Sequence, residues 1–221
     1  VLVTGHSGFK GAWLCWLLSA MGAEAYGYAL PPRSGCLYET ARPPVADEIF
    51  ADVRDHAGVE RALAEFRPDM IIHLAAHAYL DGSYEDPADI FEINVMGTVG
   101  ILEAVRRSKR RVPIVVVTSD KCYAQELKGK PCQETDPFGA AEAYSTSKAC
   151  QDLAAQCYRI SFPDMQHHWR RRFQQNPAYP PSTGLFLLWP PCKTAKSQLC
   201  PPLAVCAGRT LGIPDAGQGA V

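Results

Sequence analysis

Val115-Val-Val-Thr118 is a run of β-branched residues that ends abruptly in a hydroxyl, a carboxylate and an amine at Ser119, Asp120 and Lys121. Such a run reads as a buried strand, because branched side chains pack well on a pleated surface. In open parallel sheets ligands lie beyond the carboxyl ends of the strands, so these three groups point into a crevice rather than into plain solvent. Tyr144 and Lys148 follow, four residues apart in a stretch that continues as a helix, and so share one helical face. An ammonium close to a phenol favours the phenolate and brings it toward the range of a general base, which makes the constellation a proton-abstracting site. Taken alone, a Tyr and a Lys at this spacing also suit a solvated helix, and Ser119 to Lys121 also suit a polar turn. The rest of the chain decides between these readings.

Val1-Leu-Val-Thr4 is an apolar strand running into glycines at 5, 8 and 11 and then into a helical pattern from Ala12 to Met21. Glycines there let backbone approach a pyrophosphate, and the following helix offers free N–H groups at its positive end. Further strands are expected at Glu24 to Tyr28, Glu48 to Ala51 and Met70 to Leu74. Asp52-Val53-Arg54-Asp55 marks a strand end and a helix cap, and the helix from His56 to Phe66 places Val59, Leu63 and Phe66 on one face. Ala75 and Ala76 after the fourth strand are small enough to admit a flat ligand. Phe91, Val95, Val99 and Leu102 keep helical spacing, so one long amphipathic crossover helix is expected from Asp86 to Lys109, with Asn94 in its middle. Strands alternating with helices in this way give an α/β fold, a Rossmann-like doubly wound parallel sheet. Where a carboxylate for the ribose hydroxyl of NAD is expected, the chain has Pro31, Pro32 and Arg33, and an arginine also suits the 2′-phosphate of NADP. His73 and His77 lack a third metal ligand nearby, so no metal is expected.

The 221 residues are 47% hydrophobic and 20% charged with a net charge of -1, values of a globular chain without a polyanionic partner. No apolar run reaches the roughly 18 residues of a membrane span, and no secretory leader is visible. Nine cysteines without a Cys-x-x-Cys pair argue for reduced thiols and a cytoplasmic setting rather than a disulfide framework.

The stretches TGHSGFKG from Thr4, DVRD from Asp52, HLAA from His73, NVMGT from Asn94, TSDKCY from Thr118 and YSTSK from Tyr144 together resemble an extended short-chain dehydrogenase/reductase acting on a nucleotide sugar. Pairing GHSGFKG with TSDKCY is most similar to the 4,6-dehydratases of CDP-glucose. The resemblance covers residues 1–162 and implies an NAD-binding domain there, with the first residues of that domain missing. It implies that Gly5, Ser7, Gly8, Phe9 and Gly11 cradle the pyrophosphate of NAD, that Asp52 and Val53 meet the adenine, and that Leu74, Ala75, Ala76 and Asn94 flank the cofactor. Lys148 would bind the nicotinamide ribose and tune Tyr144. This use of NAD outweighs the reading of NADP from Arg33.

The implied reaction dehydrates CDP-glucose to a 4-keto-6-deoxy sugar for surface O-antigen polysaccharide. Tyr144 takes the proton of the 4-hydroxyl and Ser119 supports the oxyanion. Lys121 removes the proton on carbon 5, and Asp120 protonates the departing 6-hydroxyl. For these last two steps burial must raise the Asp120 pKa and lower that of Lys121. In an epimerase of the same superfamily Asp120 and Lys121 would be idle. The family usually carries a glutamine and a basic pair after HLAA, where this chain has the stretch from His77 to Gly82. A homo-oligomer is compatible with the resemblance.

After Phe162 the pattern stops. Residues 163–221 hold nine of the 18 prolines and two of the 23 acidic residues, Asp164 and Asp215. Paired prolines at 180, 190 and 201 forbid long helices and central strands, so an irregular segment stands where the sugar-nucleotide domain is expected. An out-of-frame or degenerate end is the favoured origin, and a divergent or disordered natural extension the other. The basic and aromatic residues from His167 to Phe173 have no fold to support a nucleic-acid role. Three readings remain: a dehydratase, another nucleotide-sugar oxidoreductase or epimerase, and a non-catalytic dinucleotide-binding fragment.

Overall fold

A computed structural model describes residues 1–77, 86–124, 136–139 and 142–162. The Pro-rich segment 163–221 and residues 78–82 of the stretch after HLAA lie outside the described residues. Five short parallel strands make one sheet in the order β3-β2-β1-β4-β5, with β1 at Leu2–Thr4, β2 at Tyr26–Ala29, β3 at Asp47–Phe50, β4 at Ile71–His73 and β5 at Ile114–Val116. The central β1 pairs Leu2 with Tyr26 on one side and with Ile71 on the other. This reversal of strand order at β1 and β4 is a topological switch point, where such sheets open a ligand crevice.

Each strand is shorter than, or shifted from, its sequence expectation, and the central β1 offers three residues to each neighbour. The first helix, α1 at Phe9–Ala20, starts three residues earlier than expected, directly after the glycine turn. A short α2 at Leu37–Ala41 precedes β3. Helix α3 spans His56–Phe66 as its spacing predicts; the Asp55 carboxylate accepts the Gly58 N–H at 2.9 Å, and Val59, Leu63 and Phe66 are buried. They join Leu2, Tyr28, Ile71, Ile101 and Val105 in the main apolar core.

The expected long helix is instead broken into α4 at Pro87–Phe91, a π-helical turn at Glu92–Met96 and α5 at Gly97–Ser108. The wider turn accommodates an inward-facing Asn94, whose carbonyl accepts the Thr98 hydroxyl at 2.6 Å. Helix α6 at Ala143–Ser161 carries the Tyr–Lys face, and the Glu142 carboxylate caps it by accepting the N–H groups of Tyr144 and Ser145 at 2.7 and 2.8 Å. Among the described residues no helix is long and apolar enough to cross a membrane.

Candidate active site

Gly5 has φ +75°, and a Cβ built on it would lie 2.8 Å from the backbone nitrogen of Ala75. Only glycine tolerates both the angle and the contact, so the end of β1 lies directly against the end of β4. At Gly11 a Cβ would overlap the Gly5 carbonyl oxygen, which closes the turn onto the first turn of α1. Gly8 precedes α1 in extended conformation without a side-chain cap, leaving N–H groups at that helix end for an anion. Ser7 donates to the Leu30 carbonyl at 2.8 Å, joining the turn to the end of β2, and Phe9 is exposed. Val53 is buried beneath Gly97. The Asp52 carboxylate is held by Arg54 at 2.7 Å, and Arg54 also pairs with Asp89 at 2.5 Å. That pairing keeps Asp52 below the usual carboxylate range. Leu74 and Ala75 are tied to Thr4 through backbone N–H groups at 3.0 and 3.3 Å, with Ala76 next in the chain.

Asn94 is fully buried: its Oδ1 accepts the His77 N–H at 2.7 Å, and its Nδ2 donates to the His77 carbonyl at 3.2 Å and to Ser147 Oγ at 2.8 Å. With both amide hydrogens engaged it ties the π-helical turn to the end of β4 and to α6.

Ser119 lies close enough to Tyr144 for its hydroxyl to favour the phenolate. Lys148 lies deeply buried on the same helix, its Nζ 6.0 Å from the Tyr144 ring centre and 3.3 Å from the Val117 carbonyl. The expected lowering of the Tyr144 pKa by Lys148 is not found. Burial raises Tyr144, against the pull of Ser119. Burial, with Lys10 nearby, lowers Lys148 to about 7. The two pKa values thus move apart, the phenol rising above its ordinary value while the ammonium falls. Asp120 and Lys121 are both exposed in the turn after β5, so the burial that the sequence reading requires of them is not supplied by the described residues. Ser119 Oγ donates to Asp120 at 3.2 Å and accepts from the Lys121 N–H at 3.3 Å, which fixes the three side by side.

Several contributors were not legible. His6, in the glycine turn, is buried and binds Glu48 at 2.7 Å; Tyr38 shares that carboxylate, and the ring lies over Gly27, where a Cβ would come within 2.5 Å. A histidine between two glycines is the only signal in the sequence. Thr4, Thr98, Ser147 and Gln151 are also fully buried; the signal there is polar residues on the inward face of otherwise apolar elements. Among the described residues no group of His, Cys, Asp and Glu is placed to hold a metal ion. Among the described residues Cys15, Cys36, Cys122, Cys150 and Cys157 are in no disulfide.

Sheet order, glycine turn and Tyr–Lys helix define an extended short-chain dehydrogenase/reductase. Within that class the chain belongs to the GDP-mannose 4,6 dehydratase family, which it matches over residues 2–176. It is 40% identical to the CDP-glucose 4,6-dehydratase of Salmonella typhimurium over 164 residues, 73% of this chain and 46% of that protein. It is 34% identical to the dTDP-glucose 4,6-dehydratase of Mycolicibacterium smegmatis over 170 residues, 73% of this chain and 49% of the other. The crystal structure of a UDP-glucose 4-epimerase from Thermus thermophilus, in complex with NAD, superimposes with a TM-score of 0.63 at 32% identity, covering 73% of this chain and 51% of that one. The chain thus spans about half the length of the curated relatives it matches.

Proposed function

We propose that residues 1–162 are the NAD-binding and catalytic half of a nucleotide-sugar 4,6-dehydratase, with CDP-glucose as substrate, and that residues 163–221 are a separate segment of different composition. The observation that carries this reading is the Ser119-Asp120-Lys121 turn beside Tyr144 and Lys148 at the switch point of the sheet. The 40% identity to a CDP-glucose 4,6-dehydratase supports the choice of nucleotide.

The residues fit a dinucleotide. Gly5, Gly8 and Gly11 let the turn close tightly on itself and on Ala75, and the start of α1 offers N–H groups for a pyrophosphate. Asp52 and Val53 would meet the adenine, Leu74 to Ala76 would flank the ring system, and Lys148 would donate to the nicotinamide ribose. When bound, NAD supplies a hydride acceptor that later returns the hydride. Tyr144 removes the proton of the sugar 4-hydroxyl, and Ser119 donates a hydrogen bond to the oxygen as charge develops. The ketone at carbon 4 acidifies carbon 5; Lys121 takes that proton, and Asp120 protonates the 6-hydroxyl as it leaves as water. Both groups are exposed here, so the bound sugar and the chain packed over it supply their desolvation.

The test is the full chain with NADH, followed by fluorescence, and then with NAD and a panel of nucleotide hexoses, scored for the 4-keto-6-deoxy product. Binding together with product from CDP-glucose is the expected result. Product from another nucleotide hexose, or 4-epimerisation without loss of water, moves the chain to a different nucleotide-sugar enzyme. Binding without product reduces it to a dinucleotide-binding fragment, and no binding overturns the reading.

A further inference from the structure

Six polar side chains, Thr4, His73, Asn94, Thr98, Ser147 and Gln151, are no more than 1% exposed between the strand ends and α6. No step of the proposed chemistry uses the hydroxyl of Thr98, yet three partners converge on it. The carbonyl of Asn94, at 2.6 Å, can only accept, so the single Thr98 proton goes there. Gln151 Nε2 at 2.6 Å and His73 Nε2 at 3.0 Å must then both donate to the Thr98 oxygen. A neutral His73 with its proton on Nε2 has a bare Nδ1, which accepts the Thr4 hydroxyl at 2.6 Å. Thr4 Oγ1 in turn accepts the Ala75 N–H at 3.3 Å. The protons of Thr98, His73 and Thr4 each have one place to go, and the relay joins the cofactor-facing end of β4 to α6 through one oxygen atom.

We propose that this relay positions the catalytic face of α6, with Thr98 as its hub and His73 and Gln151 as its two arms. Gln151 lies three residues beyond Lys148, on the neighbouring surface of the same helix. Ser147, held by Asn94, sits between Tyr144 and Lys148 in the chain. The helix is thus fixed to the sheet at two points on either side of Lys148, and Thr98 sets the distance between that lysine and the end of β4. Burial holds His73 neutral, down to about 3, and the nearby Lys148 ammonium opposes its charging, so the relay keeps one proton arrangement across the working pH range. The inference rests on Tyr144 and Lys148 being the proton-abstracting pair. It makes Thr98, His73 and Gln151 positioning residues.

Two substitutions at one site separate position from volume. Thr98→Val keeps the shape and deletes the oxygen; Thr98→Ser keeps the oxygen and deletes a methyl. The readout is the titration of Lys148 in the full chain, followed by NMR of labelled lysine and assigned by the signal lost in Lys148→Met. Thr98→Ser is expected to leave the midpoint in place, and Thr98→Val to move it by about one pH unit or more, because the depth of the lysine sets its desolvation. Histidine NMR of the unsubstituted chain is expected to show His73 with its proton on Nε2. An unmoved midpoint in Thr98→Val, or an equal shift in Thr98→Ser, overturns the proposal. If Thr98→Val does not fold, Gln151→Met removes one arm alone, and an unmoved Lys148 midpoint there is equally decisive. Binding of NADH to the unsubstituted chain is measured in parallel. Its absence removes the reading of the site, whereas the Lys148 titrations still decide whether the relay fixes the helix.

Discussion

Two groups of residues meet at the carboxyl ends of the strands, and they are built in opposite ways. Ser119, Tyr144 and Lys148, which would move the first proton, draw on the interior: Lys148 is 4% exposed and Gln151 beyond it is wholly buried. Asp120 and Lys121, which would eliminate water, stand exposed in a single turn and, among the described residues, are held by hydrogen bonds to Ser119. The first group is finished by this half of the fold. Desolvation of the second must come from the sugar and from whatever packs over it. An enzyme divided in this way can share the hydride-transfer group with epimerases and change the outcome through two surface residues.

The largest effect expected is at Tyr144. Tyr144→Phe removes the proton acceptor without altering the apolar part of the ring, and product formation from CDP-glucose should fall about 10³-fold. NADH affinity should stay close to that of the unsubstituted chain. An equal loss of both would mean that the tyrosine serves binding, and the contrast between the two groups would fail. Next, Asp120→Asn should reduce elimination about 10²-fold. Because the residue is exposed, its stability should change by less than about 0.5 kcal/mol in a thermal melt. A large loss of stability would show that Asp120 is packed in solution, and that the two groups are not built differently.

The same division explains what could be read from residues alone. Glycines, strand–helix alternation and the Tyr–Lys spacing are local signals, and they located the sheet, α3 and the helix that carries Tyr144 and Lys148. Burial is a property of the assembled chain, so the rise of Tyr144 and the fall of Lys148 were out of reach. Charge attraction alone predicted the opposite direction for the tyrosine. Asn94 was visible only as a polar residue within a helical pattern; its inward turn depends on a π-helical turn that no spacing announces, because Phe91, Val95 and Val99 fit an unbroken helix equally well. His6 and Glu48 meet across 42 residues, and Thr98 and Gln151 across 53, distances over which pattern carries no information.

The third effect is one of stability and carries a definite sign. Burial lowers Lys148 from its ordinary 10.5 to about 7. Between those values the unfolded chain binds a proton that the folded chain does not, so stability rises with pH through that window. Below about 7 both states are protonated and the cost of the buried ammonium is fully present; above 10.5 it is gone. Lys148→Met should therefore stabilise the chain by about 1–3 kcal/mol at neutral pH, and the gain should fade as the pH approaches 10.5, while activity is lost.

Lys121→Met makes the same chemical change on the exposed side of the comparison, and its expected effect is the smallest. Replacing an exposed side chain that packs against little should shift stability by less than about 0.5 kcal/mol. Thermal melts of both variants at several pH values measure the difference directly. If Lys121→Met stabilised the chain as Lys148→Met does, Lys121 would be covered in solution by part of the chain itself, and the elimination group would already be desolvated before a sugar arrives. If only Lys148→Met does so, the cover over Asp120 and Lys121 has to come with the substrate, which confines the elimination step to the occupied site.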